Sequence, residues 1–193
     1  FVVKWYDQSG NGGTMEQNGR QNTPVIVSSG AVLKENGKPI VTGRTVSSVA
    51  SFIELITPKR IYLPSTGQYF FFSVTKSETS KSVLYREDRR LQLIAQDGSK
   101  STETRNDPNY LSNTYRRNGA AYTPINRADV YTTNLPQTLM TIDGSLDSSI
   151  NNFALGQGTL DFNNWSMQEF IVYEGDKSSD ESNIETAING YYL

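Results

Sequence analysis

Apolar residues recur along most of this chain in short runs broken by Gly, Asn and Asp, the rhythm of strands with one wet face. Val2-Val3-Lys4-Trp5-Tyr6, Thr23-Pro24-Val25-Ile26-Val27 and Pro39-Ile40-Val41-Thr42 are pieces of this kind. Between Leu33-Lys34-Glu35 and Lys38-Pro39-Ile40, the pair Asn36-Gly37 predicts a two-residue hairpin, because a type I′ turn needs positive φ at both positions. Gln68 to Thr75 holds four consecutive aromatics, Tyr69-Phe70-Phe71-Phe72, which predicts a central strand buried on both faces. Val46 to Ile56 is a long apolar run that reads as one strand or a strand and a bend.

Further strands are predicted at Ser82–Arg86, Arg90–Gln96, Ala128–Thr133, Thr138–Ile142, Asn152–Leu155 and Ser166–Tyr173, with turns at Asp97-Gly98 and Asp143-Gly144. So many evenly spaced strands without intervening helices predict an all-β fold, a two-sheet antiparallel sandwich. One helix is expected, at the end. Ser178 and Glu181 have the spacing of a capping box, Ile184, Ala187, Ile188 and Tyr191 follow at helical spacing, and Gly190 supplies a stop.

Two segments carry a family resemblance. Trp5-Tyr6-Asp7-Gln8-Ser9-Gly10-Asn11-Gly12, followed by Thr23 to Val27 and Glu35 to Ile40, is one; Trp165 to Tyr173 with the closing helix is the other. Together they resemble laminin-G-like, concanavalin-A-like jelly rolls found in bacteriophage virion or tail proteins and in secreted bacterial proteins. The resemblance implies that Glu169 to Tyr173 closes a sheet before a short helix. It also implies calcium as a possible guest, and a location outside the cell or on a virion surface. The opening motif is similar to that of arabinofuranosidase catalytic domains, which share the fold; their site involves a cysteine pair that this chain lacks.

Composition narrows the chemistry. At 193 residues the chain fits one domain, 1–193, expected to be a piece of something longer because it opens on Phe1 inside a strand. Cysteine and histidine are both absent, which excludes disulfides, thiolate or histidine metal sites and a Ser-His-Asp triad. A net charge of −2 gives no field to draw nucleic acid, and no apolar run is long enough for a membrane span.

The segment Arg105 to Tyr122 mixes three tyrosines with three arginines and four asparagines and shows no strand or helix period. Tyr110, Tyr115, Arg116, Arg117, Asn118 and Tyr122 are its candidate ligand-binding residues: aromatic faces stack on sugar C–H patches, and planar amides and guanidinium groups bond hydroxyls. Tyrosine and arginine are equally favoured at protein interfaces, so the partner is a glycan or a neighbouring subunit. Asp7 with Asn11, and Asp143 with Asp147, are oxygen-rich corners that could hold calcium, although such residues also satisfy turns. A glycosidase would need two opposed carboxylates. Asp7, Glu54, Glu87, Asp88, Asp129, Asp143, Asp161 and Glu169 are present, but no motif assigns an acid and a nucleophile. Trp5 and Trp165 read as core residues. The expected function is non-catalytic recognition, carbohydrate-binding or adhesive, with a structural assembly domain and a glycoside hydrolase as alternatives.

Overall fold

The computed structural model describes residues 2–6, 8–9, 14–16, 23–43, 67–77, 86–87, 91–92, 114–123, 136–146 and 165–193. Their strands are β1 (Lys4–Trp5), β2 (Met15–Glu16), β3 (Val27–Ser28), β4 (Ala31–Val32), β5 (Lys34–Glu35), β6 (Lys38–Pro39) and β7 (Val41–Gly43). Then follow β8 (Gly67–Ser77), β9 (Arg86–Glu87), β10 (Leu91–Gln92), β11 (Thr114–Arg117), β12 (Ala120–Tyr122), β13 (Thr138–Leu146), β14 (Trp165–Glu174) and the helix α1 (Glu181–Tyr192). The architecture is antiparallel β with one C-terminal helix, as the patterning predicts. Six strands form one sheet in the order β12-β11-β13-β8-β14-β7, and four two-stranded ladders accompany it.

β8 is the axis of that sheet, paired along its length with β13 on one side and β14 on the other. Its four aromatics are all buried, so the expectation of burial on both faces holds. Alternation divides them: Phe70, Phe72 and Val74 point to one face, Tyr69 and Phe71 to the other. The first face packs with Leu139 and with Ile188 of α1, and Ile171, Tyr173, Ile184 and Tyr192 close around them. Phe72 meets the Tyr173 ring edge-on at 5.9 Å, a favoured aromatic geometry. On the opposite face, Tyr69 and Phe71 share their strand's side with buried Tyr115, Met140, Ile142 and Met167, placed there by cross-strand register.

Three tight hairpins use one backbone solution. Asn36-Gly37, Ser29-Gly30 and Asn118-Gly119 each place two successive residues at positive φ, the type I′ requirement. The first was predicted. The third converts part of the expected Arg105–Tyr122 loop into the β11–β12 hairpin, and its Asn-Gly pair is the same signal as Asn36-Gly37.

Several boundaries differ from expectation for physical reasons. Asp143-Gly144 is not a turn but lies inside β13, where Asp143 stands opposite Phe70 and Gly144 opposite Tyr69. The anticipated capping box does not form: α1 begins at Glu181 with Asp180 as N-cap, and the Ser178 N–H instead bonds Asp176 Oδ1. Gly190 does not stop the helix, which runs on to Tyr192. The buried stripe is also rotated by one residue. Glu185 and Tyr192 turn toward the sheet with Ile184 and Ile188, while Ala187 and Tyr191 face outward. The expected strand at 46–56 and those at 128–133 and 152–155 lie outside the described residues.

Candidate recognition groove

A β-bulge organises the region where the N-terminal segment meets the end of α1. Met167 pairs with Thr75 and Glu169 with Val74, which leaves Gln168 as the extra residue. The bulge aims the Gln168 side chain at the β5–β6 hairpin. Its amide nitrogen donates to the carbonyls of Glu35, Lys38 and Pro39 at 3.0–3.2 Å, and its oxygen accepts from Gln137 Nε2. Asn36 Nδ2 in the hairpin turn donates to Gln137 Oε1 and to the Tyr192 carbonyl. One amide network therefore ties the hairpin, the start of β13, the bulge and the last turn of α1 together.

Above this network lies a groove of about 410 Å³ lined by Val2, Lys4, Trp5, Tyr6, Gln8, Ile26, Pro39, Val41, Met167, Gln168, Tyr191 and Tyr192. Its floor is apolar and sealed, with Met167 and Val41 buried. Two tyrosines stand at its rim in solvent: Tyr6 is 63% and Tyr191 56% exposed. The Tyr191 side of the rim is held in place by its neighbours. Lys38 Nζ sits 3.6 Å from the centre of the Tyr191 ring, and the Tyr192 ring meets it edge-on at 4.7 Å. The Tyr192 hydroxyl donates to Glu169 Oε2 at 2.9 Å; burial, that hydrogen bond and the carboxylate's charge hold this phenol far above its ordinary value. On the opposite lip the Val2 N–H bonds the Pro24 carbonyl and Gln8 Nε2 donates to the Tyr6 carbonyl. Prepositioned aromatic faces beside amide and hydroxyl groups suit stacking and hydrogen bonding to a small ligand.

A second polar cluster joins α1 to the sheet. Arg116 Nε donates to both oxygens of Glu185 at 3.0 and 3.1 Å, and its Nη2 donates to the Gly119 carbonyl. Thr141 Oγ1 donates to Glu185 Oε1 at 2.6 Å, so this carboxylate, 2% exposed, is fully engaged. Glu181 lies 3.6 Å from Arg116 Nε. Burial nonetheless raises its carboxyl above the usual range: the Arg116 attraction works against that rise, and the charges of Glu185 and Asp143 add to it.

The predicted ligand residues that fall in described segments occupy the β11–β12 hairpin. Tyr115 is 2% exposed, within the sheet's second face. Arg116 is the ion-pair hub just described. The Arg117 guanidinium carbon lies 5.0 Å over the Tyr122 ring. Asn118 sits in the turn and exchanges two hydrogen bonds with the backbone of Leu139, its N–H to the carbonyl and its Oδ1 from the N–H. Tyr110 lies outside the described residues, as do Asp7, Asn11 and Asp147 of the calcium corners. Asp143 is in β13 and accepts from Gln68 Nε2 at 2.8 Å. Among the described residues, no group of three or more Asp or Glu side chains converges to hold a metal ion. Glu169 spends its carboxylate on Tyr192 and on the Phe170 N–H.

Sequence reading overlooked Tyr6, Gln8, Gln168 and Tyr191, and took Trp5 for core, although it is a half-buried wall of the groove. A signal was present. Neighbouring residues point to opposite faces on a strand and about 100° apart on a helix, so Trp5-Tyr6 and Tyr191-Tyr192 cannot both bury fully.

What fold and groove define together is a class: an antiparallel β protein with an aromatic-rimmed groove beside its C-terminal helix. No protein-family model matches the chain, and comparison with curated proteins and with solved structures finds no match. No helix among the described residues is long and apolar enough to cross a membrane.

Proposed function

We propose that this protein is a non-catalytic recognition module that binds a saccharide in the Tyr6–Tyr191 groove, within a larger extracellular or virion surface protein. The observation that carries the proposal is the pair of solvent-exposed tyrosines at a groove floored by buried Met167 and Val41, with Tyr191 held by Lys38 and Tyr192. Large aromatics left in solvent at the rim of an open groove are good binding anchors. The underlying scaffold is a laminin-G-like, two-layer jelly roll. Burial of both faces of β8 supports it, because the face opposite α1 needs a cover of its own.

Binding of the full chain to a glycan array, followed by calorimetric titration of the best ligand, tests the proposal. Tyr191→Ala is expected to weaken binding by about tenfold or more, equivalent to roughly 1.4 kcal/mol. Unchanged affinity in that variant would refute the site.

A structural assembly role is the second reading, favoured by one observation. Val27 and Val32 face each other across β3–β4 and are 44% and 46% exposed. A Val27→Lys change that shifts the oligomeric state in ultracentrifugation would support assembly through this pair. No shift would argue against it.

A further inference from the structure

Resting on the recognition reading, we infer that the groove selects uncharged, hydroxyl-rich ring ligands, neutral saccharides, over acidic ones and over proline-rich peptides. The inference follows from which polar groups near the groove are already committed. Lys38 has its ammonium on the Tyr191 ring, and Lys4 stands opposite Glu16 in the β1–β2 ladder and is itself engaged. No arginine lines the groove among the described residues, so nothing there offers a carboxylate or sulfate the planar fork that holds such groups well. A charged group desolvated against the apolar floor of Met167 and Val41 would lack compensation.

Gln8 and Gln168 sharpen the choice. The Gln168 amide is consumed within the protein, nitrogen and oxygen alike, so the floor presents no polar readout. Gln8 spends one N–H of its Nε2 on the Tyr6 carbonyl, which leaves its second N–H and its amide oxygen to meet a ligand. Together these donate and accept, as a hydroxyl does; an anion only accepts and would leave the oxygen unmatched. The exposed hydroxyls of Tyr6 and Tyr191 both donate and accept. A complementary ligand therefore brings donors and acceptors on its edge and an apolar face for the rings. A sugar ring has all three. A polyproline segment has carbonyl acceptors only, and would leave the Gln8 amide oxygen unmatched.

The test titrates the full chain with neutral gluco-, galacto- and manno-oligosaccharides, with their uronic-acid or sialylated counterparts, and with a polyproline peptide. The expected result is binding to a neutral oligosaccharide, with its acidic counterpart at least about tenfold weaker. Affinity should change less than about twofold between about 0.02 M and about 0.5 M salt, because no ion pair contributes. Gln8→Ala should weaken neutral-sugar binding by about fivefold, as loss of one hydrogen bond does. Tighter, salt-sensitive binding of the acidic ligands that still depends on Tyr191 would overturn the neutral class while leaving the recognition site standing. Binding of the peptide in place of sugars would overturn it likewise. No binding of any saccharide would overturn both.

Discussion

Replacing Arg116 by methionine isolates the energetics of the junction between α1 and the sheet. The substitution keeps most of the side chain's length but removes the Nε–H shared between the two Glu185 oxygens and leaves that carboxylate buried with only Thr141 as donor. Breaking a buried pair from one side costs about 3–5 kcal/mol. Because the Arg116 side chain is 26% exposed, water shares in its screening and the expected loss falls to about 2–4 kcal/mol. For a chain of this size that lowers the melting temperature by roughly 4–16 °C. Urea unfolding followed by circular dichroism should show a lower midpoint with an unchanged slope. A control makes the reasoning specific. Adding Glu185→Leu should recover part of the lost stability, because the orphaned charge disappears, although Thr141 then loses its acceptor. A loss below about 1 kcal/mol at neutral pH, or no recovery on adding Glu185→Leu, would refute the account.

Glu181 should weaken the fold when it is charged. Its carboxyl titrates above the unfolded value, so its charge removes stability as pH rises through that window; Glu181→Gln should match or exceed wild-type stability at pH 7, with the difference vanishing below about pH 4. Loss of stability in that variant would mean that Arg116 outweighs burial. Thr75 Oγ1 is buried without a hydrogen-bond partner, so Thr75→Val should be neutral or stabilising by up to about 1 kcal/mol in urea titration. A clear destabilisation would show that the hydroxyl is bonded after all. Tyr192→Phe removes the bond to Glu169 and should cost about 1 kcal/mol while also loosening the Tyr191 lip, seen as weaker saccharide binding. Unaltered stability and binding would contradict the positioning role given to that hydroxyl.

Much of the fold was legible because its determinants are local. Four adjacent aromatics can only be accommodated by a strand buried on both faces, and Asn36-Gly37 specifies its turn by backbone sterics alone. Errors arose where tertiary partners decided. Asp143-Gly144 has the chemistry of a turn, but full-length pairing with β8 keeps β13 extended through both residues. The stripe of α1 was misread because Glu185, a charged residue, was not counted as core; a single arginine on β11 turns it inward. That arginine and its hairpin neighbours were assigned to ligand binding on composition, and composition does not distinguish a guanidinium facing solvent from one facing a buried carboxylate. The groove was invisible for a related reason. Its walls come from four distant parts of the chain, around Trp5 and Tyr6, Ile26 with Pro39 and Val41, Met167 with Gln168, and Tyr191 with Tyr192, and no local pattern announces such a convergence.

The most direct test of the recognition site is a chemical-shift map of the isotope-labelled chain titrated with the saccharide that the array selects. The account predicts perturbations concentrated on the Trp5 indole, Tyr6, Gln8 and Tyr191, with the Arg116–Tyr122 hairpin silent. Shifts confined to that hairpin, with the groove unmoved, would contradict it.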